Sequence, residues 1–342
     1  MTPVRVLFVT RLFSGLGQSV AECRWTPRGI PAICKLIEVL DSDPDVELEV
    51  VFVCTSEQDR TDFVGFRNLE LPPRRCRFTV LPYVANRRIG ILERLINAGW
   101  TRLTGLGRIH QIAWLLWKFW RGRYSLLYVD RTQIGFAGLA ARIFGTPVFL
   151  RILGAYRDMH ELSEKVRGWT AAWLRFWYAS PFCFVLCTQD GSGGEVFMER
   201  VLAPDVPRAT VFNGVDLVSP ESGNRGKELR KALGIPGDRL ILLFVGKLEP
   251  HKGIREFVAA LGSLRQHSDR FAVVVVGDGP LRKELEARAE EANLSGSLFF
   301  AGSVPHDRVP DYLALADVYV SLNREGNLSN TVLEALQARK CI

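Results

Sequence analysis

Residues 244–253, Phe-Val-Gly-Lys-Leu-Glu-Pro-His-Lys-Gly, decide how this 342-residue chain folds. They contain the end of an apolar strand, a glycine-bearing loop and the start of a helix. Two later stretches have the same order: 275–280, Val-Val-Gly-Asp-Gly-Pro, and 327–336, Asn-Leu-Ser-Asn-Thr-Val-Leu-Glu-Ala-Leu. A strand that turns directly into a helix presents backbone N–H groups to an anionic group. The three stretches therefore predict a ligand site at the carboxyl ends of a parallel sheet.

Strands and helices alternate in both halves of the chain. In the first half the predicted strands are 4–10, 48–54, 126–129, 147–152 and 182–188, with helices at 30–40 and 135–144 and a glycine-bearing loop at 14–17. In the second half the predicted strands are 240–245, 271–276, 298–301 and 318–321, with helices at 254–267, 281–293, 310–316 and 331–339. This alternation predicts doubly wound parallel α/β sheets.

The domain boundary is predicted in a polar stretch between the two series. Residues 217–238 are rich in Ser, Gly, Asn and charge, which is typical of a linker. They separate a first domain, 1–216, from a second domain, 239–342. We expect two Rossmann-like domains that face each other across a cleft, where ligands bind.

The bulk composition limits the class of protein. The chain is 47% hydrophobic and 24% charged, with a net charge of +7, as is usual for a globular protein. It has no apolar run long enough for a transmembrane helix and no cleavable signal pattern at its start. Its seven cysteines form no C-x-x-C pair and no zinc-type spacing. Reduced thiols predict a cytoplasmic location.

The segment Val84–Arg123 belongs to neither series. It carries eight cations and four tryptophans against one carboxylate, Glu93. This composition predicts one or two basic amphipathic helices, which have two interpretations. They lie in the plane of an anionic membrane surface, or they pack their tryptophans on the domain core and leave their arginines in solvent. Nucleic acid is not predicted as a partner, because no recognisable nucleic-acid module is present.

The first group of candidate site residues lies in 244–253. Lys247 and Lys252 stand five residues apart in the loop before a helix. Cations at a helix N-terminus are unfavourable, because the helix dipole there attracts anions. A bound anion would remove the conflict, and Gly246 would let it approach the backbone. The alternative is a pair of solvated lysines.

The second group lies in 327–336. Ser329 or Asn330 can cap the helix and leave its first N–H groups open to a ligand. Glu334 lies about one turn into the helix. Its carboxylate either accepts hydrogen bonds from the two hydroxyls of a ribose or only complements the helix dipole. The stretch 275–280, by contrast, is typical of an ordinary turn with proline opening the next helix.

Together these blocks resemble the retaining GT-B glycosyltransferases of family 4. The resemblance rests on five blocks in the family's order: 213–216 (Asn-Gly-Val-Asp), 244–253, 276–280 (Val-Gly-Asp-Gly-Pro), 300–304 (Phe-Ala-Gly-Ser-Val) and 327–336. It implies that Lys247 and Lys252 hold the diphosphate of a nucleotide-sugar donor and that Glu334 binds its ribose. The remaining implied substrate-binding residues are Gly246, Gly326, Asn330, Gly15 and Gly17.

The chain departs from the family's pattern at its paired carboxylates. The first carboxylate of the family stands eight residues before the second, where this chain has Gly326. Glu325 stands nine residues before Glu334. We assign the role at the donor sugar to Glu325, and part of that role to the backbone of residues 326–330. The catalytic residues are then Glu325, Lys247 and Lys252.

Two further departures concern the first domain and the C-terminus. Many members have a histidine after a strand of the first domain, but 150–157 contains none, and Arg151 or Arg157 would contact phosphate instead. Members continue through another strand and helices beyond the position of Ile342. We therefore expect an incomplete second domain.

The resemblance implies a retaining hexosyltransferase. It would move a sugar from a nucleotide diphosphate sugar to a glycan or lipid-linked acceptor in cell-surface polysaccharide synthesis. No Asp-x-Asp cluster suited to a metal is evident, so we expect metal independence and no cofactor besides the donor. The location would be cytoplasmic or peripheral at the cytoplasmic face of the membrane.

Two other functions are considered. The first is nucleotide-sugar binding without transfer, favoured by the shifted Glu325 and the missing histidine. The second is a dinucleotide-dependent oxidoreductase. Residues 15–20, Gly-Leu-Gly-Gln-Ser-Val, lack the third glycine of its phosphate-binding motif, which argues against that class.

Overall fold

The computed structural model describes residues 3–27, 31–54, 67–82, 109–155, 159–160, 169–215, 221–294, 296–324, 326 and 328–342. The chain forms two compact units. The first consists of Met1–Gln189 and Gly193–Phe212, and the second of Asp190–Ser192 and Asn213–Ile342. The described helices include none that is long and apolar enough to cross a bilayer.

The first unit is built on an eight-stranded sheet with the order β3-β4-β2-β1-β5-β6-β7-β8. The strands are β1 (Val4–Arg11), β2 (Val46–Val53), β3 (Arg67–Leu69), β4 (Arg77–Leu81), β5 (Leu126–Asp130), β6 (Val148–Ile152), β7 (Phe184–Thr188) and β8 (Arg208–Val211). All neighbouring pairs are parallel except β3 with β4, which is antiparallel. In the centre, Val6 is in register with Leu48 of β2 and Leu126 of β5.

Helices cover both faces of this sheet. They are α1 (Ser14–Ala21), α2 (Pro31–Ser42), α3 (Ile109–Gly122), α4 (Ile134–Ile143), α5 (Trp169–Tyr178) and α6 (Gly194–Val201). Helices α1 and α2 pack on one face with Phe8, whereas α3 to α6 pack on the other face with Leu7. Since β1 is buried on both faces, it is apolar at consecutive positions instead of at alternate ones. This arrangement confirms the predicted doubly wound α/β class.

The second unit contains a four-stranded parallel sheet with the order β11-β10-β9-β12. Its elements are β9 (Leu240–Val245), β10 (Phe271–Val276), β11 (Leu298–Gly302) and β12 (Val318–Tyr319), with α7 (Ser222–Ala232), α8 (Ile254–His267), α9 (Arg282–Glu291), α10 (Val309–Leu315) and α11 (Asn330–Gln337). Every residue of β10 is buried. Strands β9 and β10 and helix α8 have the predicted bounds.

One secondary-structure prediction is wrong. Residues 14–17 were expected to form a glycine-bearing loop, but they are the first turn of α1. The N–H groups of Leu16 and Gly17 both donate to the carbonyl of Phe13, at 2.8 and 3.2 Å. The buried Leu16 and Val20 hold this helix on the sheet. Packing of these side chains therefore outweighs the low helix propensity of the two glycines.

The polar segment 217–238 contains helix α7. This helix belongs to the second unit and packs on α10. Gly226 permits the close approach, because a Cβ there would lie 2.9 Å from the backbone nitrogen of Leu315. Arg225 Nε donates to Oδ1 of the buried Asp311 at 2.7 Å. Much of the predicted linker is thus a packed part of the second unit.

Candidate functional site

Three loops meet at the carboxyl edge of the second sheet. We call them the lysine loop (246–253, after β9), the turn loop (277–281, after β10) and the cap loop (320–329, after β12). The lysine loop and the turn loop continue the pairing of their strands beyond the sheet: Gly246 N donates to Val276 O at 3.0 Å, and Leu248 N donates to Asp278 O at 3.0 Å. These bonds hold the two loops in one arrangement.

Glycines make this close approach possible. Gly277 has φ +131°, and a Cβ there would lie 1.9 Å from the carbonyl oxygen of Gly246. A Cβ on Gly279 would lie 2.7 Å from the carbonyl oxygen of Leu248. Positive φ and a contact this short both require glycine. The turn loop therefore has the structural role that its sequence predicts.

The cap loop joins the lysine loop on its other side. Arg324 N donates to the carbonyl of His251 at 3.0 Å, and the guanidinium of Arg324 pairs with Glu256 on α8. Gly253, with φ +71°, lies directly against Leu322. The structure thus brings the first and third of the sequence blocks into contact.

The two candidate lysines lie in the lysine loop. Lys252 is half-buried at the end of a 3₁₀ turn (Pro250–Lys252), and Lys247 is exposed. Burial lowers the pKa of the Lys252 ammonium, and the nearby charge of Lys247 lowers it further, against the opposing effect of Glu249. In the described part of the chain neither ammonium forms an ion pair or a hydrogen bond. Two neighbouring cations, one of them partly desolvated and neither in a salt bridge with a described carboxylate, form a site for an anion.

The N-terminus of α11 is ordered by side chains. Ser329 is the N-cap, and its Oγ accepts from Val332 N at 3.4 Å. Asn330 is therefore the first helical residue, and its Oδ1 accepts from Asn213 Nδ2 at 2.6 Å. Tyr319 OH donates to Thr331 Oγ1 at 2.7 Å, and burial raises the pKa of this tyrosine to about 12. The contact between Asn213 and Asn330 joins the first and last of the sequence blocks.

Glu334 has a neighbour that the sequence analysis did not select. Its side chain is buried one turn into α11, and its Oε1 lies 3.5 Å from His306 Nε2. His306 begins a 3₁₀ turn (His306–Arg308) that follows the block 300–304. That position after a matched block is the one sequence signal that points to it. A carboxylate held beside an imidazole can accept hydrogen bonds from ligand hydroxyls.

The other candidates divide into four groups. Glu325 and Arg157 lie outside the described residues, and nothing is assigned to them from the structure. Gly326 has φ +68°. Gly15 and Gly17 lie in α1 of the first unit. Arg151 is only 6% exposed, and its Nη2 donates to Thr188 Oγ1 at 2.7 Å, so it is packed inside the first unit.

The described ranges hold no group of three or more His, Cys, Asp or Glu side chains that could bind a metal ion. The predicted metal independence remains a prediction.

Comparison with known proteins defines the class. Residues 226–342 match the family Glycosyl transferases group 1. The chain is 31% identical over 297 residues to 2-deoxystreptamine glucosyltransferase of Streptomyces kanamyceticus, covering 76% of this chain and 72% of that protein. The chain belongs to the glycosyl transferases group 1 family.

Two other relatives are similar over shorter parts of their length. They are 2-deoxystreptamine N-acetyl-D-glucosaminyltransferase of Streptomyces fradiae, 28% identical over 76% of this chain and 66% of that protein, and alpha-D-kanosaminyltransferase of Streptomyces kanamyceticus, 27% identical over 59% and 53%. The chain spans slightly less than two thirds of the first relative and about half of the second.

Solved structures confirm the fold class. Anabaena Alr3699/HepE, in complex with UDP and glucose, matches 98% of this chain and 79% of its own with a TM-score of 0.62 and 15% identity. Sucrose-phosphate synthase from Thermosynechococcus elongatus matches 98% and 80% with a TM-score of 0.65 and 14% identity. The chain has the GT-B class of α/β fold that its sequence blocks predict.

Proposed function

We propose that this chain is a retaining glycosyltransferase that moves a hexose from a nucleotide diphosphate sugar to an acceptor. One observation carries the proposal: Lys247 and Lys252 stand in one loop, Lys252 is half-buried, and neither forms a salt bridge with a described carboxylate. The lysine loop that holds them is joined by the cap loop to the N-terminus of α11. Two cations and a helix N-terminus at one sheet edge suit a diphosphate.

The lysines would act on the leaving group. Breaking the bond between sugar and phosphate leaves extra negative charge on the diphosphate, and fixed cations stabilise that charge most in the transition state. Two lysines supply the positive charge that a divalent metal would otherwise bring, which supports metal independence. Glu334 would accept hydrogen bonds from the ribose hydroxyls, and Glu325 would act at the donor sugar. Retention at the anomeric carbon follows from the family resemblance.

A uridine nucleotide is the donor to test first, because a protein of the same fold binds UDP and glucose. The acceptor we propose is a glycan or lipid-linked glycan in cell-surface polysaccharide synthesis, used at the cytoplasmic side of an anionic membrane. The names of the relatives favour a second candidate, an aminocyclitol such as 2-deoxystreptamine.

The test has two stages. Calorimetry with UDP- and GDP-sugars measures donor binding, and product formation is then measured with a lipid-linked glycan or 2-deoxystreptamine as acceptor. We expect binding of one donor, an α-linked product from an α-linked donor, and unchanged rates after metal chelation. Donor binding without product for either acceptor would favour the alternative of a nucleotide-sugar binder. No binding of any nucleotide sugar would contradict both.

The lysine pair needs its own control. Lys283 is an exposed lysine on α9 of the same unit. Lys252→Ala should weaken donor binding while Lys283→Ala should not. Equal affinities for the two variants would remove Lys252 from the site.

A further inference from the structure

Three helices of the first unit expose large apolar side chains. Trp117 and Trp120 on α3 are 51% and 66% exposed, Ile143 on α4 is 60% exposed, and Phe176 on α5 is 44% exposed. We call these four residues the aromatic face. Single exposed apolar residues are common, but a group that includes two tryptophans is typical of a surface that binds something.

The four residues lie at the same edge of the unit. Helices α3, α4 and α5 pack on one face of the sheet and precede β5, β6 and β7. A helix between parallel strands ends at the edge where the next strand begins. Because each residue of the aromatic face stands near the C-terminal end of its helix, all four lie toward this edge.

Direct contacts connect the three helices there. The ring of Phe119, next to Trp120, meets the ring of Phe144, next to Ile143, at 5.2 Å. Arg142 lies 4.2 Å above the ring of Phe176 and donates from Nη2 to its carbonyl at 2.7 Å. The aromatic face is therefore one surface that runs across three helices.

The three helices of this surface carry charge of one sign. The sequences of α3, α4 and α5 contain no Asp or Glu. The exposed cations near the aromatic face are Arg121, Arg123, Arg142 and Arg175. Lys118 of α3 pairs with Glu49 of β2. The arginines also stack on the aromatic rings, as Arg121 does over Trp117 at 5.8 Å.

We propose that the aromatic face and its arginines bind the surface of an anionic lipid bilayer. Tryptophan has an apolar ring and an N–H donor, so it is stable at the boundary between lipid headgroups and acyl chains. Arginine binds lipid phosphate with paired N–H donors. The three helices carry cations and no carboxylate of their own, which fits an anionic membrane, and together they offer a broad surface to it.

This surface differs from the membrane anchor that is one of the two interpretations of the sequence over 84–123. Residues 83–108 lie outside the described ranges, and only α3 comes from that segment. Helices α4 and α5, from a later part of the chain, complete the surface. The proposal does not depend on sugar transfer, so membrane binding and donor binding can fail separately.

The experiment is sedimentation of the full chain with vesicles of phosphatidylcholine alone or mixed with phosphatidylglycerol. We expect binding to the anionic vesicles at low salt and weaker binding at high salt. Arg121→Gln/Arg123→Gln should lower the vesicle partition coefficient by roughly fivefold per arginine, since one cation near an anionic surface contributes about 1 kcal/mol. Trp117→Ser/Trp120→Ser should lower it further.

Matched controls lie on other parts of the first unit. Val39 is 66% exposed on α2, which packs on the opposite face of the sheet, and Arg24 is exposed before that helix. Val39→Ser and Arg24→Gln should bind vesicles as the parent chain does, and unchanged melting temperatures would show that all variants fold.

Two outcomes would overturn the proposal. One is equal partition of the tryptophan variant and the parent chain. The other is a dimer in light scattering that Trp117→Ser/Trp120→Ser dissociates, because the aromatic face would then be an interface between copies.

Discussion

The carbonyl oxygen of Leu322 lies 2.1 Å from the position that a Cβ would occupy on Gly253. Gly253 ends the lysine loop and has φ +71°, and Leu322 belongs to the cap loop. Only glycine permits this contact between the loop that holds the two lysines and the loop that leads to α11. The contact therefore fixes the relative position of the two halves of the candidate site.

Replacement of Gly253 should disturb this contact. We expect Gly253→Ala to destabilise the chain by about 2–4 kcal/mol, because it adds the strain of positive φ to a steric overlap. Donor affinity should fall as well, since the cap loop must move. Thermal unfolding and calorimetry measure the two effects.

Gly262 provides the control for that change. It lies inside α8, where a Cβ would meet Ala292 Cβ at an ordinary 3.8 Å and no other described atom within 4 Å. Gly262→Ala should stabilise the chain by about 0.5–1 kcal/mol, because alanine is the better helix former. A Gly253→Ala variant as stable as the parent chain would contradict the contact.

Replacement of Lys252 should raise the stability of the chain and lower its affinity for the donor. Burial lowers its pKa in the folded chain, so the unfolded chain binds more protons at pH values between the lowered pKa and the ordinary one. The stability penalty of the buried charge is complete below the lowered pKa and disappears as pH rises through it. We therefore expect Lys252→Met to raise the melting temperature at neutral pH, and to raise it less at alkaline pH.

The same substitution should weaken donor binding about tenfold to a hundredfold, the usual value of a hydrogen bond to a charged group. Lys283→Met is the control for both measurements. A Lys252→Met variant that melts lower than the parent chain at neutral pH would show that the ammonium stabilises the fold and has no need of an anion.

The proposed role of Glu334 is tested by removing the ribose 2′-hydroxyl from the ligand. We expect the parent chain to prefer UDP over 2′-deoxy-UDP, because a buried carboxylate that loses a hydroxyl partner is left unsatisfied. Glu334→Gln should reduce that preference to near unity in a calorimetric double-mutant cycle.

His306→Gln should also reduce the preference for UDP over 2′-deoxy-UDP, but by less, because the His306 imidazole lies 3.5 Å from the Glu334 carboxylate. An unchanged preference for UDP in Glu334→Gln would place the ribose elsewhere.

Asp311 tests whether α7 belongs to the second unit. This fully buried carboxylate accepts from Arg225 on α7 and from Arg308, both at 2.7 Å. Asp311→Asn should destabilise the chain by about 1–3 kcal/mol, since it weakens two charge-assisted hydrogen bonds. Glu221→Gln is the control, because Glu221 is an exposed partner of the same Arg225 at 3.4 Å and should change stability little. Equal melting temperatures for the two variants would argue against α7 as a packed element.

The periodicity of the sequence predicted five of the eight strands of the first sheet and all four strands of the second. The bounds of β9, β10 and α8 agree with the structure because each is a long apolar or amphipathic run. The same method failed for residues 14–17, where two glycines suggested a loop. Leu16 and Val20 bury themselves against the sheet there, and tertiary packing outweighs local propensity. It also missed β3, β4 and β8, because runs of three to five residues show no clear period.

The order of the sequence blocks determined the family, the two-unit α/β class and the candidate residues Lys247, Lys252 and Glu334. These are local properties, since each block is a strand end, a loop and a helix start. The structure also shows that Ser329, not Asn330, is the cap. Tertiary structure alone decided that His306 stands beside Glu334 and that Asn213 meets Asn330 across 117 residues of sequence. Such contacts depend on how strands are ordered in a sheet, and neither periodicity nor spacing along the chain contains that order.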